Sequence, residues 1–162
     1  MKSAAWILPL LLAAAPLPQA PPYADPVYGF TIQPPKFPAA SARVGVTPVM
    51  FFAPAENGFA GNLNVAVQST DKTLQEYAEL SRGQFEQLKL TLVSEKPLKV
   101  SGRDALLWEY EGKMQGRDLH WLALAVPDKG RVYLATCTAT PEGFLRNEKA
   151  FRAALQSFSL PE

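Results

Sequence analysis

The chain has 162 residues, and its 16 basic and 15 acidic side chains leave a net charge of +1. Hydrophobic residues make up 48% of the chain, which is enough for the core of one ordinary domain and is not the composition of a disordered protein. A nearly neutral chain without a basic block lacks the electrostatic pattern of a nucleic-acid-binding protein. The single Cys and the single His exclude a disulfide framework and a four-ligand structural zinc site.

Residues 1–20 have the pattern of a secretory signal peptide. Lys2 precedes an apolar run over Ala4–Ala15, and small residues and prolines follow. This run is too short to span a bilayer as a helix. We expect cleavage after Ala20 and, because no Cys lies near that position, no lipid anchor. The protein is therefore predicted to be exported to the periplasm or the extracellular space, without a stable membrane anchor.

A single domain is predicted over residues 28–160. Residues 21–27, which precede it, are proline-rich and are predicted to be an extended linker. The domain begins with the alternating strand Tyr28–Ile32. Val44–Phe52 and Leu63–Gln68 are rich in β-branched and aromatic residues or alternate with period two, which predicts two more strands.

Two helices are predicted from their N-terminal signals. Thr73 is followed three residues later by Glu76, which is the spacing of a capping box. Gly83 lies inside this first helix, and we expect a close approach of helix and sheet to explain it. The second helix is predicted to begin after Thr140 as N-cap, with Pro141 at its first position.

An antiparallel meander is predicted between the two helices. Its three strands span residues 104–111, 118–126 and 131–139. We pair Gly112 with Arg117 across the first turn, which places Trp108 opposite Trp121 and Tyr110 on the same face. Because both tryptophans alternate in phase with Leu and Ala, we interpret this aromatic cluster as core beneath a helix. The alternative is a ligand-binding platform for an apolar or peptide ligand.

One arrangement of polar side chains in the meander would be capable of catalysis. The same register places Glu109 opposite His120, and a pairing of Val126 with Arg131 would place His120 opposite Cys137. A thiol beside an imidazole that a carboxylate orients is the arrangement of a cysteine nucleophile. However, catalytic groups usually lie on loops or at strand ends, and a lone Cys is often a small core residue. We therefore predict no catalytic site, no metal site and no cofactor.

The order of these elements resembles that of the PsbP-like superfamily, which includes the PsbP, DcrB and LpqN groups. The residues that carry the resemblance are Tyr28-Gly29-Phe30 in the first strand, the helix start at Thr73-Leu74-Gln75-Glu76-Tyr77-Ala78, Gly102-x-x-Ala105 with Tyr110, and Phe151 with Phe158 in the last helix. The resemblance implies an α+β fold, an α/β/α sandwich with a central antiparallel sheet flanked by helices. It also implies a non-enzymatic accessory or binding role.

The predicted function is therefore that of a non-enzymatic, exported accessory or binding protein of the bacterial cell envelope. The expected partner is an envelope protein or peptide of unknown identity. Two alternatives remain open. One is a thiol-dependent hydrolase that uses Cys137 and His120, and the other is a carrier of a small apolar ligand.

Overall fold

A seven-stranded antiparallel sheet forms the centre of the described structure, with strand order β3-β4-β5-β9-β8-β7-β6. The computed structural model describes residues 21–37, 39–41, 45 and 47–162, so the predicted signal peptide lies outside the described residues. The strands are β1 Tyr23–Ala24, β2 Thr31–Ile32, β3 Ala39–Ser41, β4 Val49–Glu56, β5 Phe59–Ser69, β6 Thr91–Val100, β7 Arg103–Met114, β8 Arg117–Asp128 and β9 Arg131–Ala139. The helices are α1 Leu74–Gln87 and α2 Pro141–Gln156.

Each face of the sheet is covered by one helix. Side chains alternate between the two faces along a strand, so neighbouring residues of β8 meet different helices. Ala123 belongs to the hydrophobic cluster that contains Tyr77 of α1. Leu124 belongs to the hydrophobic cluster on the other face, which contains Phe151 of α2. The predicted α+β fold, an α/β/α sandwich with an antiparallel sheet, is confirmed.

Both helices begin where their sequence signals indicate. The Thr73 hydroxyl accepts a hydrogen bond from the backbone N–H of Glu76, and the Glu76 carboxylate accepts one from the backbone N–H of Thr73, which completes the capping box. At α2, the Thr140 hydroxyl accepts from the backbone N–H of Gly143, and Pro141 is the first helical residue. Local hydrogen bonding is enough to define these two ends.

Part of the predicted linker at residues 21–27 belongs to the fold. The two-residue strand Tyr23–Ala24 pairs with Thr31–Ile32, so the first strand begins before the expected Tyr28. The carboxylate of Asp25 closes the intervening turn by accepting a hydrogen bond of 2.7 Å from the backbone N–H of Tyr28. The prediction of a linker is therefore wrong for Tyr23 and Ala24. The prolines lie on either side of this short strand, so its own backbone N–H and C=O groups remain able to pair.

The first turn of the meander is tighter than predicted. Gln115 and Gly116 have φ angles of 51° and 79°, so the two form a two-residue turn in which Met114 pairs with Arg117. Such turns require positive φ at both central positions. The predicted pairing of Gly112 with Arg117 is wrong by two residues.

The second turn has the same form. Lys129 and Gly130 have φ angles of 49° and 74°, and Asp128 pairs with Arg131 in place of the predicted Val126. Because side chains alternate with period two, an error of two residues keeps every side chain on its predicted face. The faces were therefore predicted correctly, although the partners across the strands were not.

Candidate functional site

A cavity of about 270 Å³ lies between α1 and the sheet. We call it the α1 cleft. Its aromatic walls are formed by Tyr77, Phe85, Trp108, Tyr110 and Trp121. The cleft brings together all three members of the aromatic cluster that the sequence indicated, together with α1 side chains that were not singled out as site residues.

The cleft exists because small side chains occupy its middle. Tyr77, Ser81 and Phe85 recur at four-residue spacing and therefore lie on one face of α1. Ser81 is the small member of this row, and its hydroxyl donates back to the carbonyl oxygen of Tyr77 over 2.8 Å. On the sheet, Ala123 lies opposite Trp108 and is also small. Both small residues line the cavity, where larger side chains would fill it.

Three rings form a stack at one end of the cleft. The Tyr110 ring lies 4.4 Å from the Phe85 ring and 5.2 Å from the Trp121 ring, with interplanar angles of 26° and 12°. Trp108 meets Phe85 edge to face at 6.1 Å. Trp108 and Trp121 are both buried, as predicted for core residues, but they lie opposite Ala123 and Tyr110 and not opposite each other.

The aromatic polar groups of the cleft differ in their hydrogen bonding. The Tyr77 hydroxyl donates to Gln68 Oε1 over 3.1 Å, and the Trp108 indole N–H donates to Glu95 Oε2 over 2.7 Å. Within the described part of the chain, the Tyr110 hydroxyl and the Trp121 indole N–H form no such bond. Burial raises the pKa of Tyr110, so its phenol stays protonated and can donate.

Exposed apolar side chains surround the mouth of the cleft. Leu80, Leu88 and Met114 line the cavity and are 46%, 55% and 37% exposed. Leu80 lies on α1, and Leu88 is the C-cap residue of this helix. Exposed apolar side chains at the entrance of a cavity are typical of binding sites.

The predicted row of Glu109, His120 and Cys137 is wrong. Because of the shorter turns, Cys137 lies opposite Leu122, and His120 lies opposite Ala139. The Cys137 thiol is completely buried, and this burial raises its pKa, which disfavours the thiolate needed for nucleophilic attack. The geometry therefore does not support the thiol-dependent hydrolase.

Glu109 and His120 do meet, diagonally, and the structure gives them a different role. Glu109 Oε1 lies 3.1 Å from His120 Nε2, and Glu109 Oε2 accepts a hydrogen bond of 2.6 Å from Arg152 of α2. The His120 ring stacks on Phe144 of α2 at 3.7 Å. These contacts attach α2 to the sheet. Burial raises the pKa of Glu109, but the hydrogen bonds from Arg152 and His120 outweigh this effect and lower it below the usual carboxyl value.

Over residues 21–37, 39–41, 45 and 47–162, no group of three or more His, Cys, Asp and Glu side chains is arranged to hold a metal ion. Over the same ranges, no helix has both the length and the apolar character needed to cross a membrane.

The sequence carried a signal for the helical half of the cleft that was not used. Tyr77, Ser81 and Phe85 recur at helical spacing, and a small polar residue between two aromatic residues indicates a gap in such a face. Which sheet residues oppose that gap depends on how α1 crosses the strands, and no local pattern contains that information.

Comparisons with solved structures show the fold. A Pseudomonas aeruginosa protein of unknown function, PA94, is 21% identical with a TM-score of 0.62, covering 70% of this chain and 81% of that one. The cyanobacterial PsbP (CyanoP) of Synechocystis is 16% identical with a TM-score of 0.68, covering 87% and 92%. LpqN of Mycobacterium tuberculosis, a protein involved in cell envelope biogenesis, is 13% identical with a TM-score of 0.63, covering 87% and 90%. The resemblance to a PsbP/LpqN-like fold is confirmed.

No protein-family model matches the chain, and no curated protein matches it significantly.

Proposed function

We propose that this protein is a non-enzymatic binding protein of the bacterial cell envelope that holds a small apolar ligand in the α1 cleft. The observation that carries the proposal is the combination of an aromatic cavity with an exposed apolar mouth at Leu80, Leu88 and Met114. An accessory role also agrees with the similar structures, none of which is described as an enzyme.

Ligand binding is tested by titrating the protein with naphthalene, an apolar probe of suitable size, and following the fluorescence of Trp108 and Trp121. Both tryptophans line the cleft, so a bound aromatic molecule is expected to change their emission. Native mass spectrometry of freshly isolated protein is expected to show a retained natural ligand as an adduct.

Two variants of α1 separate the cleft from the rest of the surface. Gln84 and Gln87 are both exposed on α1, but only Gln84 lines the cleft. Gln84→Phe is expected to block the mouth and weaken naphthalene binding about tenfold or more, whereas Gln87→Phe is expected to bind as the unchanged protein does. Ala123→Leu, which fills the cavity from the sheet, is a second blocking variant. Equal binding by all four proteins would contradict the proposal.

The envelope location depends on the N-terminal segment. The apolar run after Lys2 and the small-residue exit at Ala20 support export, as does the involvement of the similarly folded LpqN in cell envelope biogenesis. N-terminal sequencing of the exported protein is expected to find a start within about residues 16–25, following the logic of signal cleavage. A protein that retains Met1 and stays in the cytosol would contradict the envelope assignment.

A further inference from the structure

Among the residues that the structure describes, those that line the α1 cleft carry no charged group. Each of its lining residues is apolar, aromatic or an uncharged Ser or Gln. The carboxylate of Glu95, which accepts the hydrogen bond from the Trp108 indole N–H, is also paired with Arg82 over 2.9 Å. A ligand that carried a carboxylate or an ammonium group into this cavity would lose its hydration without gaining a counter-ion, which is costly. The cleft therefore selects for an uncharged molecule.

The cleft also offers hydrogen-bond donors that the described protein does not use. Of its four polar aromatic groups, those of Tyr77 and Trp108 donate within the protein, and those of Tyr110 and Trp121 donate to no described residue. The Tyr110 ring is held between Phe85 and Trp121, so its orientation is set before any ligand arrives. A preorganised donor in an apolar cavity is the usual means by which such a site orients its ligand.

The size of the cavity limits the ligand. An engineered cavity of about 150 Å³ holds benzene, so a cavity of about 270 Å³ can accommodate a single aromatic ring with a short substituent. Flat ligands are favoured, because the aromatic walls offer ring faces and edges for stacking.

We propose that the ligand of the α1 cleft is an uncharged, planar aromatic molecule with one hydrogen-bond-accepting oxygen, which the Tyr110 hydroxyl receives. This inference rests on the proposed function, because it assumes that the cleft binds an apolar ligand. It adds the polarity, shape and anchoring group of that ligand.

Three probes of nearly the same shape and size test the proposal. Acetophenone has an accepting oxygen and no charge, α-methylstyrene has a methylene group in place of that oxygen, and benzoate has a carboxylate. We expect the Tyr110 hydroxyl to strengthen the binding of acetophenone, relative to that of α-methylstyrene, about two- to tenfold, which is the effect of one neutral hydrogen bond. Benzoate at pH 7 is expected to bind more weakly than both.

Tyr110→Phe is the decisive variant, because it removes the hydroxyl and keeps the stacked ring. It is expected to weaken the binding of acetophenone about two- to tenfold while leaving the affinity for α-methylstyrene unchanged. Tyr133→Phe is the matched control, since the Tyr133 hydroxyl donates weakly to the Tyr28 carbonyl on the other face of the sheet. Thermal unfolding of both variants establishes that they are folded.

The outcomes separate this inference from the proposed function. If α-methylstyrene binds but acetophenone has no advantage that depends on Tyr110, the cleft remains a binding site and the proposed anchoring group is wrong. If benzoate binds as tightly as acetophenone, the proposed selection against charge is wrong. If none of the probes binds, and naphthalene does not bind either, both proposals fail together.

Discussion

Cys137 is enclosed between the sheet and α2, where its side chain has no exposed surface. Its pairing partner on the adjacent strand β8 is Leu122, which is also fully buried. The thiol therefore packs as a small apolar side chain. His120 lies on β8 two residues before Leu122, and its ring stacks on that of Phe144. At the residue scale, a two-residue change in pairing separates an activated thiol from a core residue.

The burial of Cys137 predicts slow chemical modification. At pH 8 we expect a thiol reagent to modify Cys137 on the order of a thousandfold more slowly than a cysteine introduced by Ala153→Cys, since Ala153 is exposed on α2. The thiol becomes accessible only when the fold opens, which costs several kcal/mol, and burial raises its pKa as well. Equal rates at the two positions would contradict the structure.

Glu109 predicts a dependence of stability on pH. Its pKa is lowered in the folded protein, so its contribution to stability is present above the unfolded-state pKa and is lost as the pH falls through the folded-state pKa. Glu109→Gln is expected to lower the free energy of unfolding by roughly 1.5–3 kcal/mol at pH 7, the range for hydrogen bonds to charged groups. This difference is expected to shrink as the pH falls below the ordinary Glu pKa of about 4.3, because the unfolded state then binds a proton before the folded state does.

Urea unfolding at pH 7 and pH 3.5 measures this effect. Glu86→Gln on the exposed side of α1 is the control, because the Glu86 side chain forms no hydrogen bond or ion pair with the described residues. A constant difference between Glu109→Gln and the unchanged protein at both pH values would show that Glu109 does not stabilise α2 through its charge.

At the scale of the elements, two-residue turns determine the pairing of the strands. Two further hairpins have the same form, with positive φ at Asn57 and Gly58 and at Ser101 and Gly102. A Gly preceded by a polar residue was thus available in the sequence as a hairpin signal at all four turns. The predicted pairings of the meander assume turns of four residues in place of two. Each predicted register is therefore wrong by two residues.

Gly83 predicts a stabilising substitution within α1. The expected close approach of helix and sheet is wrong there, because a Cβ atom at Gly83 would meet no atom within 4 Å. Gly83→Ala is therefore expected to raise the free energy of unfolding by about 1 kcal/mol through helix propensity. Gly112→Ala is the contrasting variant, since its Cβ would lie 2.7 Å from Leu90 Cδ2 and is expected to destabilise the protein. Thermal unfolding of both variants checks the prediction, and a loss of stability in Gly83→Ala would contradict it.

For the whole molecule, the N-terminal strand joins the first residues of the described chain to its core. Tyr23 packs against Phe30 and Phe51 at ring distances of 5.9 and 5.7 Å. The edge bridge of Thr31 to Ser159 then connects this segment to the C-terminal end of the domain. The N-terminal segment is therefore part of the domain and not only a connection to it.

A truncation tests this contribution. The free energy of unfolding of a chain that begins at Tyr28 is expected to be about 2–4 kcal/mol lower than that of one that begins at Pro21, because the shorter chain loses the ring contacts of the half-buried Tyr23 and the Asp25 turn. Val27→Ser in the longer chain is the control, since Val27 is 65% exposed and surface substitutions change stability little. Equal unfolding of the two chains would show that β1 does not stabilise the domain.

The sequence by itself determined the features that depend on local hydrogen bonding and on periodicity. Thr73 and Thr140 define the helix starts because a cap involves only residues within one turn. The faces of the meander were predictable because alternation is a property of each strand. The edge strand β6 was not recognised, since Pro97 interrupts its pattern and is tolerated only at a sheet edge.

Only the tertiary structure decided which residues meet across elements. The α1 cleft depends on how α1 packs against β6 and β7, which places Ser81 and Ala123 around one cavity although they are far apart in the chain. The separation of His120 from Cys137 likewise depends on two turns acting together. Side-chain patterns specify the face on which a residue lies, whereas position along that face is set by turn geometry and packing between layers, and so the candidate site could not be derived from the pattern alone.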